Sequence, residues 1–450
     1  MSRPLPEQAR QLGPVLATLL MVGNLVGSGI FLLPATLASV GGISLLGWLA
    51  GAAGALLLAV VFSALVILRP EVDGVADYAR IAAGRYAGFQ SGFAYWVSNW
   101  TGTVAIALAV TGYLTVFLPA LRAPAASAAA TIAVIWLLTG VNALGPGIAS
   151  RFGGWTLALG ALPVVAVAML GWLWFDPALY ARNWNPGGRP LLQGTQASLL
   201  LIFWAYTGME SGIVAASVVR RPERNVPIAT VAGLLIATAI FIAATSAILG
   251  LVPAGELGHS SAPFALALGR MAGPALAGLV AACAMLKAAG TAGGITLLTA
   301  ETTRASAATG YFPAFLARVN RRGASINALI FLGVLETATV LLTISPTLGR
   351  QFQTLIDVST LLTLVMYGWC AAAALRISGK VARRGLRLGL RACAGLSLGF
   401  CVWTAATSEL KLLLISLGFL ALTVPLWLAV QASARARALA ASASKAPAAQ

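Results

Sequence analysis

The chain has 450 residues, of which 59% are hydrophobic and 9% charged, whereas a soluble domain carries about 25% charged residues. Apolar runs recur from Leu12 to Val430, each long enough to cross a hydrocarbon layer of about 30 Å as a helix; a soluble enzyme and a single-anchor protein are both excluded. The net charge of +17 would suggest a nucleic-acid partner in a soluble chain. Here the basic residues sit in loops, where anionic lipid accounts for them.

Residues 1–11 form a short polar N-terminus. It contains Glu7, and the apolar run behind it continues without a small-residue cleavage pattern, so no cleavable signal is expected. With Gly and Pro as punctuation, hydropathy predicts twelve spans near 12–35, 41–68, 87–118, 125–145, 152–174, 196–219, 227–251, 273–303, 325–344, 353–376, 388–407 and 411–432. The first five make one set (12–174), the next five a second (196–376), and the last two a peripheral pair (388–432). An Ala/Ser-rich tail follows at 433–450. Of the 29 Lys and Arg, 22 fall on the N-terminal side of the membrane, with clusters at Arg220, Arg221 and Arg224, at Arg318, Arg321 and Arg322, and at Arg383, Arg384 and Arg387; six fall on the other side. The positive-inside rule then places both termini in the cytoplasm.

Two spans carry interruptions. The first contains Gly23-Asn24-Leu25-Val26-Gly27-Ser28-Gly29-Ile30-Phe31-Leu32-Leu33-Pro34, and glycines this close together weaken a helix in its middle. The sixth contains Trp204-Ala205-Tyr206-Thr207-Gly208-Met209-Glu210-Ser211-Gly212-Ile213, small and polar at the same depth. Each opens one of the five-span sets, and corresponding breaks in two halves point to a transporter binding site between inverted repeats. Unwinding exposes backbone N–H and C=O groups that are costly against lipid but useful against a polar ligand. N–H ends suit a carboxylate and C=O ends an ammonium, so the pair suits the head of an amino acid. Glycines can also serve close helix packing, the role expected of Gly47 and Gly51.

These residues resemble the amino acid/polyamine/organocation transporters, and within them the bacterial basic amino acid/polyamine antiporters. Gly171-Trp172-Leu173-Trp174-Phe175, Trp184-Asn185-Pro186, Pro222-Glu223-Arg224-Asn225-Val226-Pro227-Ile228-Ala229 and Thr343-Ile344-Ser345-Pro346 are similar to segments of the arginine/agmatine, lysine/cadaverine and putrescine/ornithine exchangers. The resemblance implies an all-α LeuT-type fold of twelve transmembrane helices, ten in two inverted repeats plus two peripheral, often a homodimer, in the bacterial inner membrane. It also implies that Ser28 and Gly29 receive the substrate carboxylate, and that Trp204 and Ala205 mark the sixth-helix break, where an aromatic covers the substrate and carbonyls take its ammonium. Tyr95 and Glu210 match gating positions, Glu210 being linked to proton-sensitive transport, and Ser359 matches a polar contact on the tenth helix. Asn24, Gly27 and Tyr206 border the same breaks. Two departures stand out: Ile295 replaces an eighth-helix tryptophan, and Thr103 a third-helix asparagine. The missing indole removes a cation–π surface worth roughly 0.5–2 kcal/mol, which leaves the substrate open between a cationic amino acid, a polyamine and a smaller or neutral amino acid.

Four ionisable side chains fall within spans: Glu210, Lys287, Glu336 and Asp357. A charge at the bilayer centre costs at least about 2.5–3.5 kcal/mol, so each needs a pore, a partner or a proton. Glu210, next to the break, is expected to couple and gate transport. Lys287 stands where the exchangers have a small residue; it is expected either to act as an internal cation at the contact of helices one and eight or to pair with Asp357 or Glu336. Asp357 is a second candidate partner for a cation, and Glu336 is expected to be structural. Cys283, Cys370, Cys393 and Cys401 lack the spacing of a metal or redox site, and His259 is the one histidine, so no metal or cofactor is expected.

Other functions lack their signatures. No H-E-x-x-H, nucleophile elbow or phosphate-binding loop is present, and no segment is long enough for a signalling domain. The sequence thus predicts a secondary transporter of a small molecule, an amino acid or polyamine, with lipid as its other partner. Antiport of a cationic amino acid against its amine product or another amino acid is the main expectation. Proton-coupled uptake of a small or neutral amino acid is the alternative, and a polyamine-only carrier ranks below both.

Overall fold

The computed structural model describes residues 13–72, 74–148, 156, 160–210 and 219–443, without the side chains of Ser28 and 434–443. Ser211, Gly212 and Ile213 of the sixth-span motif lie outside the described residues, as does most of the start of the fifth span. Among the described residues, eight helices are long and apolar enough to cross a membrane, from Gly41–Leu68 to Leu410–Ser433. Four shorter apolar helices, Pro14–Leu25, Leu162–Trp174, Leu191–Trp204 and Ile326–Leu342, fall where the first, fifth, sixth and ninth spans were predicted. Two of these are short because they are the interrupted ones.

The helical answer follows from the solvent: in hydrocarbon every backbone N–H needs a partner within its own segment. Proline sets several starts, since its missing N–H costs nothing in a first turn. Pro14, Pro124, Pro222 and Pro274 open α1 (Pro14–Leu25), α6 (Pro124–Ala143), α10 (Pro222–Leu251) and α13 (Pro274–Ala308). The other elements that position the site are α2 (Leu33–Leu37), α3 (Ser44–Leu68), α4 (Val75–Ala83), α5 (Arg85–Leu114), α7 (Leu162–Leu170), α8 (Pro177–Arg182) and α9 (Leu191–Trp204). They are joined by α11 (Ala254–Gly258), α12 (Pro263–Ala272), α14 (Ile326–Leu342), α15 (Leu348–Ile377), α16 (Arg384–Ala406) and α17 (Leu410–Ala443).

The packing is cross-matched between the two sets. α1 lies along α10, and α9 lies along α3, so each interrupted helix packs on the second helix of the opposite set. This exchange is what an internal two-fold relation produces. α5 runs through the middle and packs on both α13 and α15, while α6 pairs with α14. Small residues permit these approaches: a Cβ on Gly47 would stand 2.2 Å from the Ser198 hydroxyl of α9, and one on Gly233 2.7 Å from Met21 of α1, in line with the packing role expected of Gly47. The amphipathic α4 lies across α5 and α15 with Tyr78 buried beneath it. α16 and α17 are the outermost pair, α16 on α15 and α3, α17 on α5 and α15.

Candidate functional site

The first break forms as the glycines predict. α1 closes with the Val26 N–H donating to the Val22 carbonyl at 2.7 Å, and Gly27 follows in an extended conformation. Ser28–Phe31 then make a single 3-10 turn before α2 resumes the direction of the span. A Cβ on Gly27 would lie 2.9 Å from the Asn24 carbonyl oxygen. Glycine is therefore what lets the chain fold back on the end of α1.

The second break begins at Trp204, where α9 ends in tight i→i+3 turns. Ala205 donates to Ile202, Tyr206 to Phe203, and Thr207 to Trp204, and the Thr207 hydroxyl also donates to the Trp204 carbonyl at 2.6 Å. Gly208 has φ +97°, a conformation that side chains resist and glycine adopts without strain. The reversal brings Glu210 back under its own turn, and its carboxylate accepts the Gly208 N–H at 3.0 Å. The same oxygen accepts the Tyr367 hydroxyl at 2.5 Å from α15, and Tyr95 of α5 hydrogen-bonds to Glu210 and to Asn99. Glu210 is 8% exposed. Its carboxylate thus joins the broken sixth span to the third and tenth.

Trp204 joins the two breaks. A Cβ on Gly29 would stand 3.0 Å from its Nε1, and a Cβ on Gly102 of α5 would stand 2.8 Å from its Cη2 and 3.5 Å from the Ser359 hydroxyl. The indole therefore lies as a plate between two glycines, with Ser359 at its edge. Its Nε1 is buried with no hydrogen-bond acceptor among the described residues, a cost of about 1–3 kcal/mol for a lone buried donor. Behind the plate, the Ser98 hydroxyl bonds to the hydroxyls of Ser359 at 2.9 Å and Thr363 at 2.7 Å, and Ser359 donates back to the Ser98 carbonyl at 2.8 Å. At the α2 end, the Phe31 ring meets Tyr113 and Phe264 edge to face. The Tyr113 hydroxyl donates to the Phe31 carbonyl at 2.9 Å.

Of the residues singled out in the sequence, Gly29, Trp204 and Ser359 meet around the plate, with Ala205 beside Trp204 and next to Gly29, while Gly27 lies against the end of α1 and Tyr95 meets Glu210. Ser28 opens the 3-10 turn, but its side chain lies outside the described residues. Asn24 is exposed at the end of α1. Tyr206 turns away: its hydroxyl meets Thr238 at 3.1 Å and its ring meets Trp48 and Phe241, so only its backbone borders the break. Thr103 is buried with its hydroxyl on the Asn99 carbonyl at 2.9 Å. Ile295 is half-buried on α13 and its carbonyl accepts the Thr299 hydroxyl.

Lys287 is not paired with Asp357 or Glu336. The ion pairs among the described residues join Arg69 to Glu71, Arg80 to Asp77, Arg270 to Glu256, and Arg304 to Glu301. The Lys287 ammonium instead donates to the Gly23 carbonyl of α1 at 3.4 Å. Its stem lies where Gly160 has no side chain, since a Cβ there would stand 1.9 Å from that of Lys287. Asp357 is buried on α15 with one oxygen unbonded and Glu409 as a neighbouring charge. Glu336 is buried on α14, also with an unbonded oxygen. Four residues not singled out belong to the site: Gly102, Ser98, Thr363 and Tyr367. Their signal is a polar stripe at helical spacing, Tyr95, Ser98 and Gly102 on one face of α5, and Ser359, Thr363 and Tyr367 on one face of α15.

Helices interrupted at matching points and bordering a shared, partly polar centre define a membrane transporter built from inverted repeats. The sequence profile described as amino acid permease matches residues 12–436. The chain belongs to that family and has its LeuT-type fold. It is 35% identical over 375 residues to the putrescine transporter PotE of Escherichia coli (strain K12), covering 83% of this chain and 85% of that one. The PotE of Haemophilus influenzae is 33% identical over 360 residues, 80% and 83% of the two chains. The cadaverine/lysine antiporter of Escherichia coli (strain K12) is 35% identical over 400 residues, 88% and 89%.

Proposed function

We propose that the protein is a secondary active antiporter of the bacterial inner membrane, with twelve spans and both termini cytoplasmic, that exchanges a cationic amino acid for an amine or another amino acid. The observation that carries the reading is the Trp204 plate: a buried indole N–H without an acceptor, set against Gly29 in the broken first span. A substrate carboxylate would satisfy that donor together with backbone N–H groups of the 3-10 turn, while carbonyls at the ends of α1 and α9 would take its ammonium. The relatives named for putrescine and for cadaverine and lysine support amines and dibasic amino acids as the class.

Alternating access would move the two broken spans against α5 and α15. Glu210 is the group suited to report occupancy, because its Gly208, Tyr367 and Tyr95 contacts span all three elements. A proton and a cationic substrate would compete for its carboxylate, so that protonation resets the carrier. Lys287 and Asp357 are the remaining candidates for a coupling role. The half-buried aliphatic Ile295, in place of an aromatic wall, favours a smaller amino acid as the second reading.

The test is counterflow in proteoliposomes. Labelled lysine, ornithine or arginine should accumulate only in vesicles preloaded with an unlabelled amino acid or amine. Uptake that needs a proton gradient but no internal substrate would replace antiport with symport.

A further inference from the structure

The stretch between Asp357 and Glu409 contains six cations, Arg376, Lys380, Arg383, Arg384, Arg387 and Arg391, and no acid. They gather around the turn between α15 and α16. Because α16 is long and apolar enough to span the membrane from Arg384 onward, this turn sits at a membrane surface. Two of the six build the turn: the Arg376 guanidinium donates to the Ala82 carbonyl of α4, and that of Arg391 to the Ser378 hydroxyl, both at 2.9 Å. Glu71, already paired with Arg69, is a neighbouring charge for Lys380. Arg383, Arg384 and Arg387 have no carboxylate within ion-pair distance among the described residues. They also crowd the start of α16, whose first turn has no acid and no side-chain cap, although the positive end of a helix favours anions over cations. Arg384, Arg387 and Arg391 recur on one side of α16 at helical spacing. The same side continues as Leu388, Gly395 and Val402, with Leu388 52% and Val402 62% exposed, and a Cβ on Gly395 would meet nothing within 4 Å.

We propose that this side of α16 is a docking surface for an anionic phospholipid, with its phosphate on Arg383, Arg384 and Arg387 and an acyl chain along Leu388, Gly395 and Val402. Guanidinium groups give a phosphate paired hydrogen bonds, and the free N–H groups of a first helical turn add to them. The phosphate thereby relieves the crowding of like charges at the positive end of the helix. The apolar stripe behind the arginines commits the surface to a lipid rather than to free phosphate. Two other basic clusters lack this combination. Glu223 stands in the first turn of α10 among Arg220, Arg221 and Arg224, and the Asn320 side chain already takes the Arg322 and Ala324 N–H groups beside Arg318 and Arg321. The docking surface is the same whether the carrier exchanges or cotransports its substrate.

The experiment titrates the purified full chain in neutral detergent with phosphatidylglycerol and, separately, with phosphatidylcholine, and reads thermal stabilisation. The wild type should be stabilised by phosphatidylglycerol and not by phosphatidylcholine. A cation at an anionic lipid surface contributes about fivefold in affinity. The triple variant Arg383→Gln, Arg384→Gln, Arg387→Gln should therefore need on the order of 100-fold more phosphatidylglycerol for half the effect. The triple variant Arg318→Gln, Arg321→Gln, Arg322→Gln should respond like the wild type. An equal loss in both triple variants, or no loss in the first, would overturn the proposal. Stabilisation by glycerol phosphate at the same concentrations would overturn the lipid assignment. Should the first variant not be recovered folded, photo-crosslinking of wild-type protein with a photoactivatable phosphatidylglycerol reads the same site: residues 384–402 should carry label, and label confined to other segments would overturn the proposal.

Discussion

Adding one methyl group at Gly29 tests whether the two breaks form a single site. The ideal Cβ of Gly29→Ala would stand 3.0 Å from Trp204 Nε1 and 3.1 Å from its Cδ1, with the Ala205 Cα next at 3.8 Å. Carbon against these ring atoms relaxes to about 3.5–4.0 Å, so the indole must retreat by several tenths of an ångström. Gly102 of α5 already lies close to the far end of the ring, where an added Cβ would stand 2.8 Å from Cη2, so the space for that retreat is small. Overpacking of this kind costs about 1–3 kcal/mol, which corresponds to roughly a 5- to 150-fold rise in half-saturation for substrate. A smaller ring should relieve it. Trp204→Phe alone should weaken binding by removing both the N–H and part of the wall, yet Gly29→Ala with Trp204→Phe should bind better than Gly29→Ala alone. Exchange kinetics of the four proteins give the coupling directly, since contacting residues depart from additivity by about 0.5–3 kcal/mol. Strictly additive effects, with normal membrane levels of each protein, would mean that Gly29 and Trp204 do not share a site.

Glu210→Gln fixes the neutral form of that carboxyl and should flatten the pH dependence of exchange between about pH 5 and 8, and Glu210→Asp should retain it at lower turnover; a wild-type pH profile in the Gln variant would make Glu210 structural. Tyr367→Phe removes a hydrogen bond to a carboxylate, worth about 1.5–3 kcal/mol, and should slow turnover more than it alters equilibrium binding; an unchanged rate would show that the contact does not control opening. Ile295→Trp should restore a ring face and shift the ranking toward long cationic chains, and an unchanged ranking would place Ile295 outside the site. A reporter fused after Gln450 that is active only in the periplasm should remain inactive, and activity would reverse the orientation.

The sequence by itself determined the class of protein and the places where its helices fail. Hydropathy suffices for the spans because hydrocarbon forces each segment to satisfy its own backbone; Gly41–Leu68 and Ile326–Leu342 fall close to their predicted bounds for that reason. The first break was legible because Gly27, Ser28 and Gly29 are consecutive and their effect on a helix is local. Contacts across the chain were not legible. Lys287 was expected either to act as a cation at the contact of helices one and eight or to pair with Asp357 or Glu336, and only the packing decides that its ammonium meets a backbone carbonyl of α1, its stem lying where Gly160 has no side chain. Tyr206 lies in the motif of the sixth break, yet the turn that follows α9 aims its ring at Trp48 and Phe241. Tyr367 sits more than 150 residues from Glu210, and only the crossing of α15 over the sixth break makes it a ligand of that carboxylate. Local backbone energetics are written in neighbouring residues. Which side chain meets which charge depends on helix rotation and crossing, and these are set by the packing of the whole bundle.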